Sequence, residues 1–425
     1  MKKQLLVFGT LVLFLAAAAT MGFGADWILE SKSGKLPTDL EASVLGAGGT
    51  LVKTLDDIGI AVAEFATRED AEAMEAYGFN VMPDVELNWL PGEDSMEVAS
   101  EEHIGSNETF YHYQWHLPVI QADLAWDAGY TGAGARVAIV DSGIWYVHPD
   151  LADNIDYAAG TTFVPGTVDF MDDRGHGTHV AGIVAAIDND WGSIGIAPSA
   201  TLIPVKVLDS NGTGNWSWIV SGIIHAANQN VDIMNLSLGA TLKKSGNMPF
   251  YNGSDVAALI NTIKKALHYA KSKGCLVICS AGNDARDLNH DWNYIKIPAQ
   301  AGNGVIVSAT GPFNQQDWDR PASYTNYGTS AITVAAPGGD FIYDGANWWW
   351  DMVFSTTING WSWMAGTSMA SPAACGVAAL IVGKYGSMNP STLEHKLVKA
   401  ADDLGKPGTD EYYGKGRVNA YNAVK

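Results

Sequence analysis

From about residue 120 onward, short apolar runs alternate with longer stretches of helical period. The runs Arg136–Val140, Leu202–Val207, Asp232–Ser237, Leu276–Cys279, Val305–Ser308 and Ile332–Ala335 read as strands. Their polar interruptions are too few for a half-solvated sheet, so both faces must be covered. Between them, His176–Ile187, Trp216–Gln229, Asp255–Lys273 and Thr367–Tyr385 carry the 3.6-residue spacing of helices. Strand and helix in alternation predict an α/β fold, a parallel sheet with helices on both faces.

The first part of the chain has a different rhythm. Trp27–Glu30 predicts a strand, and Thr38-Asp-Leu-Glu41 reads as a capping box opening a helix. Gly49–Phe65 predicts two strands with a turn at Asp56-Asp57. Thr67–Tyr77 predicts a helix capped by Thr67 and stopped by Gly78, and Val81–Leu87 a last strand. That is a small α+β unit of βαββαβ order. Periodicity then vanishes over residues 91–110, which read as an exposed, acidic linker open to cleavage.

Charge sharpens this division. The 425 residues carry 25 Lys+Arg against 46 Asp+Glu, a net −21. Residues 25–110 hold 4 basic and 19 acidic side chains, whereas 111–425 hold 19 and 27. Nucleic acid is excluded as a partner, because phosphate binding needs Lys/Arg clusters, and so is adsorption to anionic membranes. Fifteen Trp and sixteen Tyr exclude a disordered acidic chain. Lys2 and Lys3 precede an apolar run from Leu5 to Ala19 and then small residues, the pattern of a cleaved secretory signal over residues 1–24. The product is expected to be secreted and free of the membrane. Cys275 and Cys279 sit four residues apart on one strand, about 13 Å, too far for a disulfide. With Cys375 they read as small buried hydrophobes.

Three segments stand at strand ends or helix starts, where α/β sites form. Asp141 follows an apolar strand and precedes Ser-Gly143. Gly175-His176-Gly-Thr-His179 opens one helix and Gly366-Thr-Ser368-Met-Ala-Ser-Pro372 another. Acyl transfer needs a hydroxyl, an imidazole to take its proton and a carboxylate to orient the imidazole. The chain supplies them in the order Asp, His, Ser.

These three motifs resemble those of the subtilisin family of serine proteases, over about residues 112–425, and Tyr412–Asn419 is similar to that family's C-terminal segment. The resemblance implies Ser368 as nucleophile, His176 as general base and acid, Asp141 as orienting carboxylate and Asn283 as oxyanion donor. His179, one turn on, is then structural. Gly212-Thr-Gly214 and Ser237-Leu238-Gly239 would flank an extended peptide substrate. Trp216, Ile219 and Leu238 would form the pocket for its fourth residue before the cut. Ser237–Gly239 and Ala281-Gly282-Asn283 would line the pocket for the residue before the cut. Lys296, on a long loop from Asp284 to Ile297, would favour acidic residues there if it points inward. Structural calcium is implied on Asp150 (carboxylate), Asn189 (side chain), the carbonyls of Ile187, Trp191 and Ser193, and Gln114. Residues 25–90 resemble an inhibitory propeptide that also assists folding. Residues 91–111 would then be the processed linker and 112–425 a monomeric catalytic domain.

The chain departs from the family's usual pattern at Ala240 and Ala373-Ala-Cys375. Residues 241–255 and Asn347–Trp350 look inserted. Two other classes fit less well. A non-catalytic binding protein on the same scaffold has no need of Asp141, His176, Asn283 and Ser368 together. A lipase or esterase needs G-x-S-x-G and the order Ser, Asp, His, but Ala370 stands at the final Gly.

Overall fold

The computed structural model describes residues 25–90, 94–97, 108–247 and 251–425. The expected signal and most of the linker lie outside them. The body is built on a seven-stranded sheet in the order Val334–Pro337, Val305–Thr310, Leu276–Ser280, Ile233–Leu236, Arg136–Asp141, Thr201–Lys206 and Thr161–Thr162. Every neighbouring pair in it is parallel.

Period-2 alternation explains the layers. Val137 and Ile139 face one core with the helices His176–Ala185 and Thr367–Tyr385. Ala138 and Val140 face a second core with the helices Trp216–Asn228 and Gly253–Ser272. Val137–Val140 of the strand between are all apolar because neither face meets water. The six predicted strands and four predicted helices are all present, with ends within a few residues of their expected places. Among the described residues no helix is long and apolar enough to cross a membrane. The three cysteines are buried and free.

The N-terminal unit forms an antiparallel sheet in the order Thr50–Leu55, Ile60–Phe65, Ala25–Ser31, Phe79–Pro83. Trp27 and Leu29 face its own small core. Ile28, Ile60 and Met82 face the other way and join the second core of the body. Charged contacts reinforce this docking. Arg68 reaches Asp255 at 3.0 Å and Lys265 reaches Glu30 at 2.6 Å.

Three local expectations need correction. The helix expected at Thr38 starts at Leu40, with Asp39 at the cap position and no side-chain cap bond, so the capping box does not form. The strand expected over Val81–Leu87 breaks after Pro83 and resumes as Glu86–Asn88 in a different sheet. The intervening Asp84 leaves to cap another helix across the interface, accepting from the Ser217 N–H at 2.8 Å. Burial raises its pKa, and the bonds from Ser217 oppose that. Finally, the stretch read as an unstructured, exposed linker contains the strand Asp94–Glu97, paired with Gly360–Ala365, and ends at a buried Glu108.

Candidate active site

Asp141 ends its strand at the carboxyl edge of the sheet and is fully buried. The helix carrying His176 approaches it closely because Gly177 has no side chain. A Cβ there would lie 2.2 Å from the Gly143 carbonyl oxygen. The His176 Nδ1–H donates to Asp141 Oδ1 at 2.7 Å, and the same oxygen accepts from the Ser142 N–H at 2.7 Å. His179 is turned elsewhere, with Nε2 3.1 Å from the Ser362 carbonyl.

A residue that sequence reasoning missed fixes this arrangement. Asp172 is buried, and its Oδ1 accepts from Ser142 Oγ at 2.9 Å and from the Arg174 and Gly175 N–H groups at 3.0 Å. Its Oδ2 accepts from the Thr178 N–H at 3.0 Å. One carboxylate therefore ties the loop after Asp141 to the first turn of the His176 helix, where a negative charge is favoured. An Asp-Asp-Arg run upstream of His176 reads as an ordinary polar turn, so no local signal marked it.

Ser368 stands in the first turn of the helix Thr367–Tyr385, which contains Pro372. Proline has no N–H, so the Ser368 carbonyl loses its usual helical donor. Ser237 Oγ donates to that carbonyl instead at 2.7 Å, and Ser368 Oγ donates to the Ser237 carbonyl at 3.2 Å. Asn235 supports the pair by donating to Ser237 Oγ at 2.9 Å. On the other side Asn283 Oδ1 accepts from the Thr367 N–H at 2.9 Å and from Thr367 Oγ1 at 2.7 Å. A backbone N–H can only donate, so this contact fixes the amide and turns Asn283 Nδ2 away from Thr367. Nδ2 then lies on the side where a Cβ on Gly366 would stand 3.3 Å from it.

A groove runs past these residues, and the chain itself fills it. Glu86–Asn88 pairs antiparallel with Thr213–Asn215. The Trp89 N–H donates to the Gly212 carbonyl at 3.0 Å, and the Gly239 N–H donates to the Trp89 carbonyl at 2.8 Å. The Trp89 ring lies 5.4 Å from the Trp216 ring, and Nε1 donates to the Gly214 carbonyl at 2.8 Å. Trp89, Trp216, Ile219 and Leu238 share one apolar cluster. Trp216 of the expected pocket thus packs against a side chain of the N-terminal segment. Beyond residues 91–93 the chain pairs Asp94 with Ala365, three residues before Ser368.

The residues expected to hold calcium also converge. Asp150 is buried, and Oδ2 accepts from the Ser193 N–H at 2.8 Å and from Trp361 Nε1 at 2.9 Å, while Oδ1 has no hydrogen-bond partner among the described residues. Asn189 Oδ1 accepts from the Trp191 N–H at 3.0 Å. Gln114 is engaged at both ends with Ile194, accepting from its N–H at 3.0 Å and donating to its carbonyl at 2.8 Å. Glu108, which the sequence left in the linker, joins this group. Its Oε1 accepts from the Asn189 and Asp190 N–H groups at 2.9 and 3.0 Å, while Oε2 is buried with no hydrogen-bond partner among the described residues. Burial pushes the Glu108 carboxyl up to about 7, against two backbone hydrogen bonds and with help from the charge of Asp150. Burial likewise raises Asp150 to about 6. Two neighbouring carboxylates, each with an unmatched oxygen, fit a hard cation with oxygen ligands. Among the described residues no cluster of three or more His, Cys, Asp or Glu could hold a metal. This set relies on carbonyl and amide oxygens besides its two carboxylates.

Comparison with known proteins gives the family and the fold. The model of the subtilase family, peptidase S8, matches residues 132–416. Thermitase of Thermoactinomyces vulgaris is 36% identical over 322 residues, 75% of this chain and 99% of that protein. Subtilisin E of Bacillus subtilis (strain 168) is 34% identical over 339 residues, 79% of this chain and 77% of its own. Among solved structures, the epidermin leader peptide processing serine protease from Staphylococcus aureus matches with a TM-score of 0.79 at 24% identity, a likeness of fold. It covers 95% of this chain and 98% of that one.

Proposed function

The chain belongs to the subtilase family of serine endopeptidases, and from that premise we propose that it is a secreted peptidase made as a precursor, with Ser368, His176 and Asp141 as its triad. Ser368 Oγ attacks the peptide carbonyl while His176 Nε2 takes the hydroxyl proton. The same proton passes to the leaving amine, and water then releases the acyl group from Ser368. Asp141 holds the imidazole by its Nδ1–H and stabilises the transient positive charge. Asn283 Nδ2 and the Ser368 N–H donate to the oxyanion, the position where preorganised donors have their largest effect.

The observation that carries this reading is residues 86–89 bound along the groove by backbone hydrogen bonds. Strand addition is how an extended peptide is gripped, and a lipid ester offers no such backbone. Residues 25–90 act as the propeptide, and the bond it presents lies between Leu90, which follows the bound Trp89, and Asp94, which pairs with Ala365 three residues before Ser368. N-terminal sequencing of the signal-free wild-type chain as it matures is expected to find its first new terminus within that interval. An intact chain without peptidase activity, or a first cut elsewhere, would overturn the reading.

We further propose calcium at Asp150, Asn189, Gln114 and the carbonyls of Ile187, Trp191 and Ser193, with Glu108 as an added carboxylate. Glu108 serves the mature enzyme only if the final terminus precedes it. The raised pKa values give the sign of the pH effect. A carboxyl with a raised folded-state pKa contributes stability below its unfolded value, about 4. That contribution is lost as pH rises through the folded values, about 7 for Glu108 and about 6 for Asp150. Calcium cancels the repulsion and competes with the protons. In the Ser368→Ala chain, which cannot digest itself, calcium over EDTA should raise the melting temperature more at pH 8 than at pH 5. An equal gain at both, or none, would count against the site.

A further inference from the structure

We propose that Lys296 determines the residue accepted before the cut and selects an acidic side chain there, glutamate above all. This rests on the peptidase reading above and adds the substrate class.

The strand Tyr294–Ile297 pairs antiparallel with Ala240–Lys243, placing Lys296 opposite Thr241 and Ile297 opposite Ala240. It therefore runs immediately beyond Gly239, at the end of one wall of the pocket. From there the Lys296 side chain crosses toward the other wall. Its Cε lies 3.0 Å from where a Cβ on Gly239 would stand and 2.5 Å from where one on Gly282 would stand. Nζ lies 3.8 and 3.1 Å from the same two points. Both walls are glycine where the lysine passes, and each is pinned to the start of the Ser368 helix. Ser237 Oγ bonds the Ser368 carbonyl, and the Gly282 N–H donates to Thr367 Oγ1 at 3.0 Å. A side chain entering between the walls meets the ammonium at the far end.

The ammonium is poorly matched where it stands. Lys296 is 5% exposed, so water does not satisfy it. An ammonium has three donors, and the one acceptor bonded to Nζ among the described residues is Asp284 Oδ2 at 3.3 Å. Charge-assisted bonds are normally about 2.7–2.9 Å. That carboxylate oxygen also accepts from Asn326 Nδ2 at 3.3 Å, so it is shared. A glutamate side chain brings two oxygens to the unfilled donors. An aromatic side chain finds the end of the slot occupied and leaves the buried charge uncompensated, which is costly. Asp284 offers a basic side chain an alternative partner, so lysine is the rival occupant.

The test compares kcat/KM for peptides identical except for Glu, Gln, Leu, Phe or Lys before the cut, with casein digestion by the wild type as an independent sign of peptidase activity. One hydrogen bond to a charged group is worth about 1.5–3 kcal/mol, roughly 10- to 100-fold. Glu is expected to exceed Leu, Phe and Gln by that margin. Lys296→Met is expected to lower Glu and raise Leu and Phe. Lys296→Arg is expected to keep the acidic preference, and thermal melting of both variants verifies their folding. Asp284→Asn, which removes the competing carboxylate, should strengthen the preference for Glu. Casein digestion with Leu, Phe or Lys preferred by the wild type would overturn the proposal. So would an order of preference unchanged in Lys296→Met. Failure to cut casein and every peptide would instead overturn the peptidase reading, and this proposal with it.

Discussion

Ser368→Ala is expected to lower peptide hydrolysis by about 10⁶, a magnitude carried over from the corresponding change in subtilisin, and to leave the chain uncut between Leu90 and Asp94. The size follows from what remains. Without the hydroxyl there is no acyl-enzyme, and His176 has no nucleophile to deprotonate. Asn283 and the groove still bind and polarise a peptide, which gives only a residual advantage over water. The second effect depends on geometry within one molecule. Glu86–Asn88 and Asp94–Glu97 are strands paired with Thr213–Asn215 and Gly360–Ala365, and Asp94 lies opposite Ala365, three residues before Ser368. Tethering raises the effective concentration of that bond far above that of any free peptide. Gel electrophoresis of wild type and variant, made side by side, checks both effects. A variant chain cut at the same bond would assign the cut to another protease.

The sheet was legible in the sequence because burial on both faces removes polar residues from its strands. Val137 to Val140 show no alternation even though they serve two different cores. The helices were legible by their period, and the Thr67 cap forms as expected, with Thr67 Oγ1 accepting from the Asp70 N–H at 3.1 Å. What stayed hidden depends on partners distant in sequence. Asp84 caps a helix more than a hundred residues away, Asp172 joins two loops, and Glu108 sits against Asn189 and Asp190. In each case a single acidic residue looks solvated until its partner is known. Lys296 falls between these limits. Its loop was visible, but only the pairing of Tyr294–Ile297 with Ala240–Lys243 brings it beside Gly239 and Gly282. The strand Asp94–Glu97 exists through its pairing with Gly360–Ala365, so its own residues carried no signal.

Asp141→Asn is expected to lower kcat by about 10⁴, the size seen when a triad aspartate loses its charge, with KM nearly unchanged. That is about 5.5 kcal/mol of activation free energy. The substitution keeps the shape, so the loss isolates charge and orientation. Asp141 is fully buried and His176 is 3% exposed, so water cannot replace the carboxylate. Oδ1 serves the His176 Nδ1–H and the Ser142 N–H together. An amide can offer one oxygen there but no negative charge to balance the imidazolium formed during attack. The groove residues Gly212, Gly214 and Gly239 lie on other segments and keep their grip, which is why KM should hold. The double variant with Ser368→Ala supplies the sharper check. Residues that act as one unit are not additive, so adding Asp141→Asn to Ser368→Ala should cost little more. A further loss near 10⁴ in the double variant, or less than a tenfold loss in the single one, would mean that Asp141 does not act through His176 on Ser368.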